Sequence, residues 1–182
     1  MSVWFQPLNL ADAPQLSVHA ARIYQEHYAY LWVDGGAGYV ARALSVNTLA
    51  AELQLAQNRF YFIQQGSHTV GFAKWVLPAQ PGALGSPWAY LERLYVCADC
   101  TGQGVGSAAL AFIVGQARTA QVPGLMLRAM ADQVAVLRFY QRHGFVLDGQ
   151  DRLDSAGVIA QRAMMLRLIK RFELPVGDNA VA

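Results

Sequence analysis

Two motifs that could each do chemistry lie side by side between residues 97 and 106. Cys97 and Cys100 form a C-x-x-C pair, and Gly102, Gly104 and Gly106 form an alternating glycine series that runs into an apolar segment. A cysteine pair with this spacing suits metal binding or thiol redox chemistry. A glycine series at the start of a helix suits a phosphate group, because open backbone N–H groups and the positive end of the helix dipole coincide there.

The cysteine pair is the weaker of the two candidates. A zinc site needs four Cys or His ligands, but the chain has only these two cysteines and no paired histidines to complete the set. Redox C-x-x-C motifs work from a helix N-terminus, whereas Cys97 ends an expected strand and the helix begins only after Cys100. We expect no metal and interpret the pair as two reduced, small side chains. A redox protein with a Cys97–Cys100 disulfide is the alternative.

The glycine series is a weak signal when taken alone. Gly104, Gly106 and Ala109 fit the G-x-G-x-x-A fingerprint of dinucleotide-binding domains. That fingerprint opens a parallel sheet and is followed, about 20 residues on, by an acidic residue. Here three antiparallel strands are expected before the series, and the next strand, residues 124–130, ends without an acid. The context therefore favours a phosphate site of another kind.

The hydrophobic pattern predicts the elements that position this loop. The first half predicts a strand at 3–8, a helix at 12–28, a mobile glycine-containing connection at 30–44, and a helix capped by Ser45 or Asn47. A hairpin around Gly66, a loop at 78–87 and a third antiparallel strand at 88–96 follow. The second half predicts a helix at about 104–120, a strand at 124–130, a helix at about 133–142, and strands near 145–149 and 161–168. The fold class is α/β, in the order β-α-α-β-β-β-α-β-α-β-β.

Composition limits the classes of function. The chain has 182 residues, of which 54% are hydrophobic and 14% charged, enough for one domain with a substantial core. Its formal charge of +2 comes with no basic stripe, so nucleic acid is not an expected partner. No signal peptide or membrane span is recognisable, which predicts a cytoplasmic protein without a membrane partner. We expect one domain over residues 1–174 and a tail over 175–182.

Two longer stretches resemble a known family. Residues 91–110, LERLYVCADCTGQGVGSAAL, are similar to motif A of the GCN5-related N-acetyltransferases (GNAT), and residues 135–145, AVLRFYQRHGF, are similar to their motif B helix. The first half of the chain also resembles the bacterial polyamine acetyltransferases related to PaiA. The resemblance implies a mixed, mainly antiparallel central sheet flanked by helices. It also implies transfer of an acetyl group from acetyl-CoA to a primary amine.

The resemblance further implies how acetyl-CoA is bound. The pyrophosphate would lie on the glycine loop, and the pantetheine arm would bond to the backbone of the preceding strand. The implied residues are Leu94, Tyr95 and Val96 on the strand, Thr101, Gly102, Gln103, Gly104, Val105, Gly106 and Ser107 in the loop, and Gln133. Thr101 stands where the family usually has Gln or Arg, and Gln133 stands where it usually has Asn.

The reaction itself defines the catalytic roles. An amine that attacks a thioester must lose a proton, and the sulfur leaves as a thiolate whose parent thiol has a pKa of about 8.5. Glu92, just before the glycine loop, is the candidate base through a water molecule, with an ion-paired strand carboxylate as the equal alternative. Tyr140 is the candidate acid, the role that the family gives this tyrosine. Backbone N–H groups near Leu94 would bind the oxyanion.

The acceptor is the least explicit part of the sequence. Tyr28 and Trp32 lie in the connection that lines the acceptor side in this family, and aromatic faces there suit a small cationic amine such as a polyamine. Packing in the core is the alternative for both side chains. An acyl-CoA-binding sensor with the same fold and little turnover is the second functional hypothesis, and a homodimer is left open.

Overall fold

The computed structural model describes residues 2–77 and 88–173. The strands are β1 (Val3–Pro7), β2 (Asn58–Gln65), β3 (His68–Val76), β4 (Ala89–Val96), β5 (Gly124–Met130), β6 (Val146–Arg152) and β7 (Met164–Arg171). The helices are α1 (Ala13–Tyr28), α2 (Ala37–Ala43), α3 (Val46–Leu53), α4 (Val105–Thr119) and α5 (Val134–Arg142). The loop expected at 78–87 and the tail expected at 175–182 lie outside the described residues.

The seven strands form one sheet in the order β1-β2-β3-β4-β5-β7-β6. Every neighbouring pair is antiparallel except β4 and β5, which run parallel. A parallel pair needs a crossover, and α4 lies in the connection between these two strands. The expected mixed, mainly antiparallel sheet with flanking helices is therefore confirmed.

Apolar side chains at helical spacing attach the helices to the sheet. Leu16, Ala20 and Ile23 of α1 are fully buried and belong to one hydrophobic cluster. Leu110 and Ile113 of α4 belong to a second cluster, which also holds the aromatic residues of α5. Burying each large aliphatic side chain stabilises the fold by about 1.5 to 3 kcal/mol. The two clusters hold the ends of α1, α4 and α5 beside the middle of the sheet.

The glycine-containing connection at 30–44 differs from its expectation in two ways. It contains an extra helix, α2, which starts after Gly36, a residue with a φ of +88° that side chains rarely adopt. It is also tied to the β6–β7 loop, because Ile159 N–H donates to Leu31 O at 2.8 Å and Val33 N–H donates to Gly157 O at 3.0 Å. The expectation of a connection without regular structure is therefore wrong for Ala37–Ala43, and backbone bonds attach the start of the connection to the β6–β7 loop.

Within the described part of the chain, no helix has the length and apolar character needed to cross a membrane.

Candidate active site

The centre of the sheet opens where β4 and β5 separate. Ala89–Leu91 pairs with Leu125–Leu127, and no register position joins the two strands beyond that point. Glu92 lies at an irregularity in β4, because Lys74 on β3 pairs with Arg93 while the next residue of β3 pairs with Leu91. Such a bulge leaves one extra residue unpaired and bends its strand. In the described part of the chain, the edge of β4 that faces β5 is therefore without a strand partner from Glu92 to Val96.

A cavity of about 230 Å³ occupies this opening. Most of its polar lining is phenolic, from Tyr24, Tyr28, Tyr39, Tyr90, Tyr95 and Tyr140. Its charged lining residues are Glu92, Arg93 and Arg128. Both residues with predicted catalytic roles, Glu92 on β4 and Tyr140 on α5, thus face the same cavity from different elements.

Tyr140 lies in the last turn of α5 and is 8% exposed. Its ring packs edge-on against Phe139 and Phe145, which holds it in place. Burial raises the pKa of Tyr140 well above its usual value, so the phenol stays protonated at neutral pH. Tyr140 lines the cavity, and no hydrogen bond from residues 2–77 and 88–173 contributes to its pKa. A protonated hydroxyl that faces a cavity is free to donate to a ligand.

Glu92 belongs to a closed ring of four charged side chains. Its carboxylate lies 2.7 Å from Lys74 Nζ and 3.2 Å from Arg93 Nη2. Glu52 of α3 contacts the same two cations, at 3.2 Å from Lys74 Nζ and 2.6 Å from Arg93 Nη1. Lys74 and Arg93 are buried, whereas the Glu92 side chain is 27% exposed. Glu92 is therefore both an ion-paired strand carboxylate and a residue that lines the cavity.

The buried cations Lys74 and Arg93 lower the pKa of Glu52, the carboxylate of this ring that lies outside the cavity lining. Burial alone raises the pKa of Glu52, but hydrogen bonds from Arg93 and the charges of Arg93 and Lys74 outweigh burial and hold the pKa below its usual value. Burial likewise opposes the charge of Arg93, and the two carboxylates reverse that effect and raise its pKa. With two acidic and two basic side chains, the ring has no net formal charge.

The glycine loop presents open backbone at the start of α4. Gly102 and Gly104 have φ values of +76° and +82°, and a Cβ added at either would meet no described atom within 4 Å. Gly104 is the N-cap of α4, and the Ala108 N–H makes the first helical bond, to Gly104 O at 3.0 Å. The N–H groups of residues 105–107 precede that bond and lack helical partners. Together with the helix dipole they can hold an anion such as a pyrophosphate.

Three side chains expected at the cofactor bond to the protein's own backbone. The Thr101 hydroxyl donates to Ala98 O at 2.6 Å, and Gln103 Nε2 donates to Asp99 O at 2.7 Å. Gln133 Nε2 donates to His27 O at 3.5 Å. These bonds shape the loop and the start of α5 from within. Binding at the loop would therefore depend on backbone N–H groups more than on these side chains.

Cys97 and Cys100 are joined by a disulfide, so their interpretation as reduced side chains is wrong. The chain enters a short 3-10 turn, Ala98–Cys100, directly after β4. That turn brings the two Cα atoms to 5.4 Å, within the usual range for a bridge. The disulfide closes the turn that immediately precedes the glycine loop.

The end of α1 holds the end of β4 in place. His27 Nε2 lies 2.8 Å from Val96 O, and with its proton on Nε2 the ring donates to that carbonyl. The Ala98 N–H donates to the Glu26 carboxylate at 2.9 Å. The carbonyl of Val96, expected to bond pantetheine, is thus already engaged by His27. The sequence singled out neither of these two contacts.

The two aromatic residues expected at the acceptor occupy different places. Tyr28 lines the cavity, and burial raises the pKa of its hydroxyl. Trp32 is 3% exposed, lies outside the cavity lining, and donates from Nε1 to the Tyr24 hydroxyl at 2.8 Å. Tyr24 stacks on Tyr39 with ring centroids 4.4 Å apart. Trp32 therefore acts on the cavity indirectly, through its contacts with Tyr24 and Tyr39.

A family model described as the acetyltransferase (GNAT) family matches residues 19–145, well over half of the chain. The chain belongs to the acetyltransferase (GNAT) family. As a member it is an acyl-CoA-dependent N-acetyltransferase that uses acetyl-CoA as its co-substrate, which confirms the enzyme class expected from the two motifs.

Solved structures of other proteins share the fold of this acetyltransferase. The PaiA N-acetyltransferase of Thermoplasma acidophilum, solved in complex with coenzyme A, is 18% identical with a TM-score of 0.74, over 94% of this chain and 100% of that one. The ribosomal-protein-S18-alanine N-acetyltransferase of Escherichia coli is 19% identical with a TM-score of 0.70, over 100% of both chains. An N-acetyltransferase of Staphylococcus aureus is 10% identical with a TM-score of 0.72, over 94% of this chain and 98% of that one. No curated protein matches the chain.

The structure of this acetyltransferase adds residues that the sequence did not single out. Tyr24, Tyr90 and Arg128 line the cavity, and Lys74 and Glu52 complete the charged ring. Their positions in the chain carry no shared spacing, because they come from separate elements. The one usable signal is the strand pattern of residues 88–96, since it predicted that Glu92 and its neighbours lie on a strand beside the glycine loop.

Proposed function

We propose that the protein transfers the acetyl group of acetyl-CoA to a small primary amine, by direct attack of the amine in a ternary complex. One observation carries the proposal. A single strand, β4, lines the cavity from Tyr90 to Tyr95 and is followed, after the short turn Ala98–Cys100, by the glycine loop that presents free N–H groups. An acetyl-CoA molecule with its pyrophosphate on that loop and its arm along β4 would place the thioester in the cavity.

The chain offers a backbone-rich site for the co-substrate. The N–H groups at the start of α4 would hold the pyrophosphate, while Gly102 and Gly104 leave space for it. The unpaired edge of β4 at Leu94–Val96 would bond to the pantetheine arm, except at the Val96 carbonyl that His27 already contacts. Acetyl-CoA supplies the activated acetyl group, and the protein supplies orientation and proton transfer.

Tyr140 is the proposed acid. Its position in the cavity lining supports this role. Its raised pKa keeps the phenol protonated at neutral pH and also makes it a weaker acid, so donation depends on the charge that develops on the sulfur. The phenol would donate from Oη to the departing thiolate. The fixed ring packing against Phe139 and Phe145 would keep that oxygen in place.

Glu92 is the proposed base, and it would accept the amine's proton at its carboxylate through a water molecule. Its exposure to the cavity supports this role. Its contacts with Lys74 and Arg93 hold the carboxylate in place at the cavity. A water molecule between amine and carboxylate suits that arrangement, because the carboxylate need not leave the ring.

The acceptor is proposed to be a small cationic amine of the polyamine type. The phenolic wall of Tyr24, Tyr28 and Tyr39 supports this class, because a cation over an aromatic face gains about 0.5 to 2 kcal/mol. Tyr28 would contact the acceptor, and Trp32 would act by holding Tyr24. Backbone bonds also attach Leu31 and Val33, in the connection that leads to Tyr39, to the β6–β7 loop.

A screen of CoA release over a panel of amines tests the proposal. The panel holds polyamines, small monoamines, amino acids and N-terminal peptides, each with acetyl-CoA at a saturating concentration. Turnover highest with polyamines or other small cationic amines supports the proposal, and turnover confined to peptides or anionic amines contradicts the acceptor class. Saturable binding of CoA with no acetylation of any amine would instead support the acyl-CoA sensor.

A further inference from the structure

We propose that Glu52, which does not line the cavity, is a positioning residue that keeps Glu92 able to accept a proton by sharing the two buried cations that Glu92 contacts. This inference rests on the proposed role of Glu92 as the base. It assigns a function to a carboxylate on α3 that touches neither substrate in the proposed arrangement.

The geometry of the ring shows how the cations are divided. Lys74 Nζ is 2.7 Å from Glu92 and 3.2 Å from Glu52. Arg93 makes two contacts with Glu52, at 2.6 and 3.1 Å, and one contact with Glu92, at 3.2 Å. Each cation therefore contacts both carboxylates, and Arg93 makes more and shorter contacts with Glu52 than with Glu92.

The burial of Lys74 and Arg93 strengthens the effect of their charges on Glu92. The side chains of Lys74 and Arg93 are only 5% and 6% exposed, so water screens their charges little. Two such cations acting on Glu92 alone would favour its ionised form strongly and make it a poor proton acceptor. Glu52 adds a second negative charge, so the charges of the two cations at Glu92 are balanced by two carboxylates.

The other ionisable groups that face this ring do not supply that balance. Tyr39 of α2 lies beside Arg93, and Tyr90 of β4 lies within the electrostatic influence of Glu92. Arg128 of β5 lines the same cavity, and its charge is paired with Asp151 at 2.6 Å. Burial raises the pKa of both phenols, so both are neutral at physiological pH. In the part of the chain that the structure describes, Glu52 is thus the anion paired with the cations of Glu92.

The test is the pH profile of kcat at saturating concentrations of both substrates, measured for three variants against the unmodified protein. Glu52→Gln leaves two cations on Glu92, so the acid limb of the profile should move to lower pH by about one unit, and kcat on the plateau should fall about tenfold. Lys74→Met leaves two carboxylates on one cation, so the limb should move to higher pH. The double variant keeps one cation and one carboxylate, so its limb should return to within about half a unit of the original.

A purely structural role for Glu52 predicts a different pattern. Both single variants would then lower kcat with the limb unmoved, and the double variant would be worse than either; that pattern overturns the proposal. Limbs that move in the same direction overturn it too. Circular dichroism checks folding, and either single variant that folds decides the direction of the shift. If neither folds, the charge-balanced double variant decides, and a displaced limb in it overturns the proposal.

Glu92→Gln separates this inference from the proposed function. Loss of the acid limb in Glu92→Gln together with an unmoved limb in Glu52→Gln refutes the role of Glu52 alone. An unchanged kcat profile in Glu92→Gln refutes the assignment of the base, and with it the proposal that depends on it.

Discussion

Replacing Gly104 with valine separates cofactor binding from backbone strain. Gly104 has a φ of +82°, and a side chain in that region costs about 1 to 2 kcal/mol. An added Cβ meets no described atom within 4 Å, so the cost is strain without a clash. For a chain of this length, that cost lowers Tm by about 2 to 8 °C. The variant should therefore fold and bind measurably less acetyl-CoA.

The loss of affinity follows from the N–H groups at the start of α4. A hydrogen bond to a charged group contributes about 1.5 to 3 kcal/mol, and an isopropyl group above the loop would block at least two of them. The sum is about 3 kcal/mol or more, which corresponds to a Kd at least about a hundredfold higher. Isothermal titration calorimetry with acetyl-CoA measures this directly.

Gly66 provides the matched control. It has a φ of +60° and open space around it, and it lies in the turn between β2 and β3, away from the cavity. Gly66→Val should lower Tm by a similar amount and leave the Kd for acetyl-CoA unchanged. A folded Gly104→Val protein with an unchanged Kd, or equal weakening in both variants, would refute the role of the glycine loop.

Three further outcomes are expected. Tyr140→Phe should lower kcat about ten- to a thousandfold with the Kd for acetyl-CoA nearly unchanged, and steady-state kinetics with calorimetry would expose a wrong assignment through an intact kcat. Trp32→Phe removes the bond to Tyr24, so the KM of the amine should rise more than the KM of acetyl-CoA; equal changes would exclude this route to the acceptor. Burial and, secondarily, Arg22 lower the pKa of His19 below 6.5, so the unfolded chain binds this proton more readily and stability should fall as pH drops below about 6.5. Thermal melts between pH 7.5 and 5.5 should show a smaller fall in His19→Gln.

The sequence predicted most of the elements because their signals are local. Alternating apolar residues, the hairpin glycine at 66 and the glycine at 104 define strand and helix ends from a few neighbouring residues. The helix α2 escaped prediction because it is seven residues long and follows two glycines, Gly35 and Gly36, that locally indicate a turn. Short helices depend on tertiary packing more than on propensity, so their sequences are ambiguous.

The candidate site was less accessible to prediction because it depends on distant pairs. Glu92 could be placed on a strand, but its contacts with Lys74 and Glu52 require the register of β3 on β4 and the packing of α3. The disulfide needed the 3-10 turn after β4, which composition does not indicate. The position of Trp32 behind Tyr24 is also a tertiary result, since both core packing and substrate contact fitted the sequence equally.

The short parallel pairing of β4 and β5 has a consequence for how the sheet forms and breaks. Three register positions join two antiparallel halves, β1-β2-β3-β4 and β5-β7-β6, and each half can assemble from its own neighbouring strands. The seam between them closes only after the crossover through α4 has ordered, and contacts with such sequence separation form slowly. Once formed, the seam is held mainly by side chains of α4 packed across both halves, with few backbone bonds to resist opening. The opening that makes room for a ligand is thus also the part of the sheet with the fewest backbone bonds between neighbouring strands, and a molecule bonded to both β4 and β5 would join the two halves.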